Sequence, residues 1–270
     1  MLNAGNPIGV MDSGIGGLTV VRELQRILPG EDIIYFGDSA NCPYGNKTSD
    51  QIFDLSCNML RFLGDNGVKC TAIACNTIST LSDRLRPCFD YQIISIVEEA
   101  AKYVVREHLK SVGLIATEFT VASGKYAELI HKDAPECKVV GKGSPLLAAL
   151  VDRGDFNQHD INTEIRTQVD NILAREKVEN LILGCTHYPV LAPLIQQAVG
   201  ENVSIISSSE ETAKEVVETL SYRGHLADGS IPQHSSFYTT GEDLDDFRTI
   251  GGHIFGQPIE DLTYVDINEL

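Results

Sequence analysis

The sequence has few basic residues and no long apolar run. Its 21 lysines and arginines stand against 38 aspartates and glutamates, which gives a formal net charge of −17. A surface this negative repels phosphate backbones, so nucleic acid is not an expected partner. The N-terminal residues carry no basic segment, and the apolar run after them spans only Ile8–Met11. We therefore expect no signal peptide, no membrane association and a cytoplasmic protein.

Metal-binding and disulfide patterns are also missing. The seven cysteines are an odd number at irregular spacing, and neither C-x-x-C nor H-x₃₋₅-H occurs. A chain of 270 residues, 43% of them hydrophobic, can bury a core that needs no disulfides. The sequence therefore predicts free thiols in a reducing compartment and no metal site.

Short apolar runs alternate with amphipathic stretches along the chain. The predicted strands are Ile8–Met11, Ile33–Phe36, Thr71–Ala74, Ile93–Val97, Val112–Ala116, Val139–Val140, Leu181–Leu183 and Val203–Ile206. The predicted helices are Leu18–Leu28, Ser49–Leu63, Ser79–Leu85, Glu98–His108, Val121–His131, Leu146–Val151, Ile161–Ala174, Leu191–Val199 and Glu210–Leu220. This alternation predicts an α/β fold with largely parallel sheets.

A strand followed by a cysteine-containing turn occurs twice. Thr71–Ala74 leads into Cys75, and Leu181–Leu183 leads by way of Gly184 into Cys185. This weak internal repeat predicts two lobes. We place the first domain at residues 1–97 with a returning C-terminal segment at 209–270, and the second at 98–208.

The candidate site lies in the residues after the strands, because ligands in open α/β sheets bind beyond the carboxyl ends of the strands. Small polar or nucleophilic groups come after five of the predicted strands. They are Asp12-Ser13-Gly14-Ile15-Gly16-Gly17, Gly37-Asp38-Ser39 with Pro43-Tyr44-Gly45, Cys75-Asn76-Thr77, Thr117 with Thr120, and Gly184-Cys185-Thr186-His187. The glycine-rich turn at 12–17 does not match G-x-G-x-x-G. It suits a bound carboxylate as well as a phosphate, and a tight turn with a capping side chain is the structural alternative.

Cys75 and Cys185 differ from the other cysteines in their sequence neighbours. Each stands where a strand ends, and polar residues come next in the chain. A helix N-terminus favours the thiolate and can lower the pKa of a cysteine from about 8.5 into the range of roughly 3.5–7.5. Two such cysteines at matching strand ends indicate chemistry rather than packing.

The other five cysteines carry no such pattern. Cys57 shares a helical stripe with Phe53 and Leu60, which is typical of a core position. We assign three more to the core as well: Cys70, Cys88 and Cys137. Cys42, in a loop beside Pro43, stays unassigned.

Two thiols on opposing lobes can invert a stereocentre, because one removes a proton from one face while the other supplies a proton to the opposite face. Asp12 on the Cys75 side and His187 on the Cys185 side are the candidate activating groups. Candidate donors to a transient carbanion are Ser13, Asn76, Thr77 and Thr186.

An acyl-transfer pair of Cys185 with His187 is disfavoured by two arguments. Residues this close on extended backbone are not expected to bring their side chains together freely. Such a pair also explains only one of the two cysteines.

The sequence resembles the glutamate racemases of the aspartate/glutamate racemase superfamily. The matching strings are 9–20 (GVMDSGIGGLTV), 35–39 (YFGDS), 43–45 (PYG), 74–77 (ACNT) and 183–189 (LGCTHYP). The similarity runs across nearly the whole chain in the order of the family. It implies two pseudo-symmetric α/β domains with the active site in the cleft between them.

The resemblance also implies an activity. The family interconverts L- and D-glutamate without pyridoxal phosphate or metal, supplies D-glutamate for peptidoglycan, and is commonly homodimeric. Its catalytic cysteines fall on Cys75 and Cys185. Its substrate contacts fall on Asp12, Ser13, Tyr44, Gly45, Asn76, Thr77, Thr117, Thr120, Thr186 and His187.

Three positions depart from the pattern of the family. Asp152 stands where a glutamate is usual, which shortens an acid near the His187 side. Glu98 is followed by Glu99-Ala100 in place of Pro-Gly, and Ser207 begins a serine run where an aspartate is common.

Other interpretations stay open at this point. The same fold could racemise aspartate or another acidic amino acid, since one methylene is distinguished by pocket shape. The chain could also be a non-catalytic ligand-binding or regulatory protein. A redox protein with a Cys75–Cys185 disulfide is a third alternative, against which the absence of C-x-x-C counts.

Overall fold

The computed structural model describes residues 3–154, 158–229 and 234–266. The outer ends of the first predicted domain, 1–2 and 267–270, lie outside these ranges. The strands are β1 Ile8–Asp12, β2 Ile33–Gly37, β3 Cys70–Ile73, β4 Gln92–Ser95, β5 Ser111–Thr117, β6 Lys138–Ser144, β7 Asn180–Gly184, β8 Ser204–Ile206, β9 Ser235–Thr239 and β10 Leu262–Tyr264. The α-helices are α1 Leu18–Ile27, α2 Ser49–Asp65, α3 Asn76–Ser79, α4 Ser82–Leu85, α5 Ile96–Arg106, α6 Glu118–Ala122, α7 Lys125–Asp133, α8 Leu147–Asp152, α9 Gln158–Arg175, α10 Ala192–Val199, α11 Ser208–Arg223 and α12 Leu244–Phe255.

The strands form two sheets, in which every described pairing is parallel. The first sheet has the order β10-β9-β2-β1-β3-β4, and the second has the order β6-β5-β7-β8. The run β2-β1-β3-β4 therefore corresponds, strand for strand, to β6-β5-β7-β8. The predicted α/β fold of two pseudo-symmetric halves with parallel sheets is confirmed.

The first sheet is covered on both faces, as its continuous apolar strands require. Alternate residues point to opposite faces. Val10 and Tyr35 belong to the core that includes α1, whereas Met11 and Phe36 pack in a second core with α2. The carboxyl ends of the central strands are thereby held at one rigid edge.

Two helices carry the chain between the sheets. Helix α5 follows β4 of the first sheet and leads to β5 of the second, and α11 follows β8 and leads back to β9. The two helices pack against each other, and β9 pairs with β2. The domain boundaries at 97 and 208 stay predictions.

Several elements differ from the sequence-based expectation. The predicted helix Ser79–Leu85 is divided into α3 and α4, and the side chains of Ser79 and Thr80 donate to backbone carbonyls there. Strand β4 ends at Ser95, so the apolar pair Ile96–Val97 begins α5. The sequence analysis assigns the segment from β9 to β10 to the first domain but predicts no strand or helix in it. Within the described ranges, no helix is long and apolar enough to cross a membrane.

Candidate active site

Cys75 and Cys185 line one cavity of about 30 Å³ between the two sheets. Cys75 follows β3 and Cys185 follows β7, which are corresponding strands in the two sheet orders. Both side chains are only 6% exposed. The other lining residues are Ser13, Cys42, Pro43, Tyr44, Gly45, Asn76, Thr77, Thr117, Ala148, Asp152, Thr186 and His187. The matching strand ends noted in the sequence thus bring the two thiols to one site.

Cys75 is a buried thiol beside a hydroxyl and a carboxylate. Its Sγ lies 3.4 Å from Ser13 Oγ, and Asp12 ends the adjacent strand β1. Burial, reinforced by the charge of Asp12, raises the pKa of Cys75 to about 12. The expected lowering by a helix start is wrong, because α3 is one turn long and desolvation outweighs the hydrogen bonds from Ser13 and from the Ile78 backbone. Cys75 therefore rests as a neutral thiol.

Asp12 connects the two lobes behind the cavity wall. Its Oδ1 accepts from Gly14 N at 3.0 Å, and its Oδ2 accepts from the Thr186 hydroxyl of the other lobe at 3.1 Å. The side chain is fully buried, and this burial raises its pKa against the lowering effect of His187 and the two hydrogen bonds. Asp12 is therefore close enough to Cys75 to influence its charge, although it does not line the cavity itself.

Cys185 stands at the end of a chain of three side chains. Its Sγ lies 3.5 Å from His187 Nδ1, and His187 Nε2 lies 2.6 Å from Asp152 Oδ1. Strand β7 ends at Gly184 and His187 has a helical backbone conformation. The expectation that Cys185 and His187 would not meet is therefore wrong.

The charge of His187 is set by opposing effects. Burial lowers its pKa, but the carboxylate of Asp152, the sulfur of Cys185 and the hydrogen bonds to both raise it, and the net pKa lies well above the ordinary histidine value. The shorter acid noted in the sequence still reaches the imidazole. The chain Asp152–His187–Cys185 can therefore hold and pass a proton.

Polar groups from both lobes meet around Asn76. Its Oδ1 accepts from Tyr126 OH at 2.7 Å, which fixes the orientation of the amide. Its Nδ2 is buried and has no hydrogen-bond partner in the described part of the chain. Thr77 lies 3.1 Å from Thr117 and 3.3 Å from Thr120, oxygen to oxygen. An unpartnered amide donor and the hydroxyls of Thr77 and Thr117 thus belong to residues that line the cavity, with Thr120 behind them.

Tyr44 and Gly45 complete the wall opposite these groups. The Tyr44 hydroxyl donates to Asp38 Oδ2, and the Thr240 hydroxyl donates to Asp38 Oδ1 at 2.6 Å. A Cβ added to Gly45 would lie 3.6 Å from Thr117 Cβ of the other lobe. This loop of the first lobe therefore closes against the second.

The structure brings together nearly all the predicted site residues. Asp12 and Thr120 stand behind the wall of the cavity, and the remainder line it. Sequence reasoning missed Cys42 and Ala148 as lining residues, and it noted Asp152 only as a departure. The signal for Cys42 was its place beside Pro43-Tyr44-Gly45.

The remaining departures and cysteines have structural explanations. Glu99 and Ala100 lie within α5, where Glu99 pairs with Lys102, and Ser207 caps α11 by accepting from Glu210 N at 3.3 Å. Cys57, Cys70 and Cys137 are buried as predicted, but Cys88 is exposed, because it lies in a surface turn after α4.

Among the described residues, no group of three or more histidine, cysteine and acidic side chains is placed to hold a metal ion. Fold and site together define a two-lobed α/β protein in which each lobe places one thiol on a shared buried cavity.

The chain belongs to the Asp/Glu/hydantoin racemase family, whose model matches residues 8–216. A protein of Oceanobacillus iheyensis named glutamate racemase is 38% identical over 251 residues, which is 92% of this chain and 91% of the relative. Similarity to proteins of this name thus extends over most of both chains.

Solved structures show the same relationship. The glutamate racemase of Francisella tularensis, crystallised in complex with D-glutamate, superposes with a TM-score of 0.92 at 33% identity, covering 99% of this chain and all of the other. An aspartate racemase homologue from Pyrococcus horikoshii superposes with a TM-score of 0.58 at 17% identity, covering 80% of this chain and 99% of the other. The second likeness concerns the fold alone.

Proposed function

We propose that this protein interconverts L- and D-glutamate by passing the α-proton between Cys75 and Cys185, with no cofactor or metal. One observation carries the proposal: a thiol from each lobe lines the same buried cavity. A single base returns the proton to the face from which it came. Two acid–base groups on opposite faces are what inversion requires.

The two thiols work with different partners. Asp12 is the candidate proton acceptor on the Cys75 side, and its buried carboxylate lies near a thiol that rests neutral. On the Cys185 side, His187 exchanges the proton with sulfur while Asp152 stabilises the imidazolium. When one thiol acts as the base, the neutral thiol opposite is the acid that completes the inversion.

Neutral donors, rather than lysine or arginine, would bind the two carboxylates of glutamate, since the described lining of the cavity contains neither. Asn76 Nδ2 supports this role most directly, because it is a buried donor without a partner among the described residues. A buried donor left unpaired costs free energy, which a bound carboxylate would recover. The proposed substrate contacts are Asp12, Ser13, Tyr44, Gly45, Asn76, Thr77, Thr117, Thr120, Thr186 and His187, with Asp12 and Thr120 acting from behind the wall.

Entry of the substrate requires the lobes to move apart. A cavity of about 30 Å³ holds roughly two water molecules, which is far less than a glutamate molecule needs. Closure would then exclude water and strengthen the electrostatic interactions on which proton transfer depends.

The biological setting is inferred from the family resemblance. We propose that the protein acts in the cytoplasm as a homodimer and supplies D-glutamate for peptidoglycan. The relative from Oceanobacillus iheyensis and the D-glutamate complex from Francisella tularensis support glutamate as the substrate.

Exchange of the α-proton in D₂O tests the proposal. NMR spectra of L- and D-glutamate and both aspartates are recorded with reduced protein free of metals and pyridoxal phosphate. Exchange with inversion of glutamate is the expected result. Exchange of aspartate instead would keep the mechanism and change the substrate, whereas folded, reduced protein that exchanges none of the four would refute the proposal.

A further inference from the structure

Cys42 is the cysteine whose role the sequence leaves open. It lies between β2 and α2, beside Pro43, and lines the cavity of the two thiols. Its Sγ lies 3.6 Å from Asp152 Oδ2, which belongs to the other lobe. Burial, and then the charge of Asp152, raises the pKa of Cys42, so its side chain stays a neutral thiol that can donate this hydrogen bond.

Asp152 is held at both carboxylate oxygens. Oδ1 meets His187 Nε2 at 2.6 Å, and Oδ2 meets the Cys42 thiol. The side chain is 25% exposed, so without the second contact only the hydrogen bond with His187 would hold the carboxylate against turning toward solvent. The direction in which Asp152 faces His187 therefore depends on Cys42.

Cys42 also lies next to the turn that holds Asp12. A Cβ added to Gly14 would lie 3.3 Å from Cys42 Sγ and 3.9 Å from Asp152 Oδ1. The same Gly14 donates its N–H to Asp12. One thiol is thus packed between the turn of the first lobe and the acid of the second.

The contact of Cys42 with Asp152 separates two cavities. Both residues, together with Pro43, line the 30 Å³ cavity and a neighbouring cavity of about 450 Å³. Their contact is part of the wall between the two. If it opened, water would reach His187 and weaken its interactions with Asp152 and Cys185.

From these contacts we infer that Cys42 is a positioning residue for the racemase reaction: its thiol holds Asp152 against His187 and keeps the imidazole aligned with Cys185. The inference rests on the proposed function and adds a residue that acts through Asp152. It requires the lobes to be closed, because Cys42 and Asp152 lie on opposite sides of the cleft.

The first test compares Cys42→Ala and Cys42→Ser with the matched control Cys57→Ala, a buried thiol packed in the core around α2. Cys42→Ala should lower kcat by about threefold to tenfold with little change in KM, which is the scale of one typical net hydrogen bond. Cys42→Ser keeps a donor and should recover part of the loss. The primary isotope effect of α-deuterated glutamate should rise for one enantiomer only, the one whose proton Cys185 removes.

A double-mutant cycle separates positioning from general packing. In the Asp152→Asn background, Cys42→Ala should cause no further loss of kcat, since the residue through which it acts is already changed. Losses that multiply independently in the double variant would overturn the inference.

Titration of His187 by NMR gives a readout that does not depend on activity. The charged and titratable groups that face His187 are Asp152, Cys185 and Asp12. Release of Asp152 in Cys42→Ala should lower the pH at which His187 titrates, and Cys42→Ser should show a smaller shift in the same direction. If Cys42→Ala fails to fold, the double-mutant cycle and the titration of His187 are both carried out with Cys42→Ser.

The racemase activity and the positioning role of Cys42 fail in different ways. Wild-type protein that exchanges no amino-acid proton would refute the proposed function. The NMR titration of His187 would then still test the positioning role of Cys42. A His187 titration that is the same in wild type and both Cys42 variants overturns the positioning role, whatever the rates show.

Discussion

The two lobes have the same strand order around their cysteines but surround them differently. Cys75 lies against the Ser13 hydroxyl and near a buried carboxylate, Asp12, with no imidazole among its hydrogen-bond partners in the described ranges. Cys185 is hydrogen-bonded to His187, and His187 is hydrogen-bonded to Asp152. A pseudo-symmetric fold therefore places its two thiols in chemically distinct surroundings, which in the proposed mechanism act as two proton-transfer units.

The difference matters because a racemase must work in both directions at one site. In the proposed mechanism each thiol is the base in one direction and the acid in the other, so neither environment can favour only one protonation state. The two units are also linked, since Thr186, next to Cys185, donates to Asp12 on the side of Cys75. We expect changes in one unit to be felt in the other.

Removal of either thiol should have the largest effect. Cys75→Ala and Cys185→Ala should each lower racemisation by about a thousandfold or more in both directions, in line with the loss of an acid–base group and of inversion itself. Interconversion is followed by polarimetry or chiral chromatography. Cys57→Ala, a buried thiol away from the cavity, should retain wild-type rates. Full activity in either alanine variant at the site would contradict the account.

Substitution of the activating groups, Asp12 and His187, should show that each thiol has its own proton partner. Asp12→Asn and His187→Gln should each lower kcat by about a hundredfold, because each thiol then loses its proton partner. The isotope effect of α-deuterated glutamate should increase for opposite enantiomers in the two variants. If both variants increase it for the same enantiomer, the assignment of one partner to each thiol is wrong.

A methyl group at Gly16 should disturb the contact between the lobes. A Cβ there would lie 2.4 Å from Thr186 Oγ1 and 2.8 Å from the His187 ring, so both side chains must shift. Gly16→Ala should lower kcat by roughly tenfold, since small displacements of positioned groups reduce catalysis strongly. The control Gly252→Ala meets only a backbone oxygen at 3.4 Å and should leave kcat unchanged. Equal kcat values for Gly16→Ala and Gly252→Ala would contradict the close approach of Gly16 to Thr186 and His187.

The smallest effect concerns stability at the helices that connect the lobes. Glu99 of α5 is buried beside Lys102 and Glu215 of α11, and burial raises its pKa to about 8 from an ordinary value of 4.5. The folded state therefore binds a proton that the unfolded state releases. The contribution of the protonated Glu99 carboxyl to the free energy of unfolding is complete below pH 4.5 and is lost as the pH rises through 8.

Glu99→Gln should flatten this dependence. Its Tm between pH 5 and pH 9 should fall less with rising pH than that of the wild type, whereas Glu107→Gln, on an exposed side chain at the end of the same helix, should follow the wild type. Thermal unfolding followed by circular dichroism measures both. If the Tm of Glu99→Gln falls with pH as steeply as that of the wild type, protonation of Glu99 is not the cause of the pH dependence.

The sequence was sufficient to place most of the site, because parallel strands put their carboxyl ends at one edge. That rule brought Asp12 and Cys75 together in the first sheet and Thr117 and Cys185 in the second. The strands β9 and β10 were not predicted, since Ser235–Thr239 alternates weakly and Leu262–Tyr264 is only three residues long.

Contacts across the cleft could not be predicted from the sequence. The hydrogen bond of Thr186 with Asp12 and the contact of Cys42 with Asp152 join residues far apart in the chain, and only the closing of one lobe on the other creates them. The pKa of Cys75 was misjudged for a related reason. The local helix start is visible in the sequence, whereas the desolvation that outweighs it comes from the whole fold.

One measurement tests the pairing of the thiols most directly. Cys75→Ser and Cys185→Ser are each given both enantiomers of a glutamate analogue with a leaving group on Cβ, and elimination is followed by NMR. A single remaining thiol can still remove the α-proton from its own face, so each variant should eliminate from one enantiomer only, and the two variants should prefer opposite enantiomers. Elimination from the same enantiomer by both, or from both enantiomers by either, would contradict two thiols on opposite faces of the substrate.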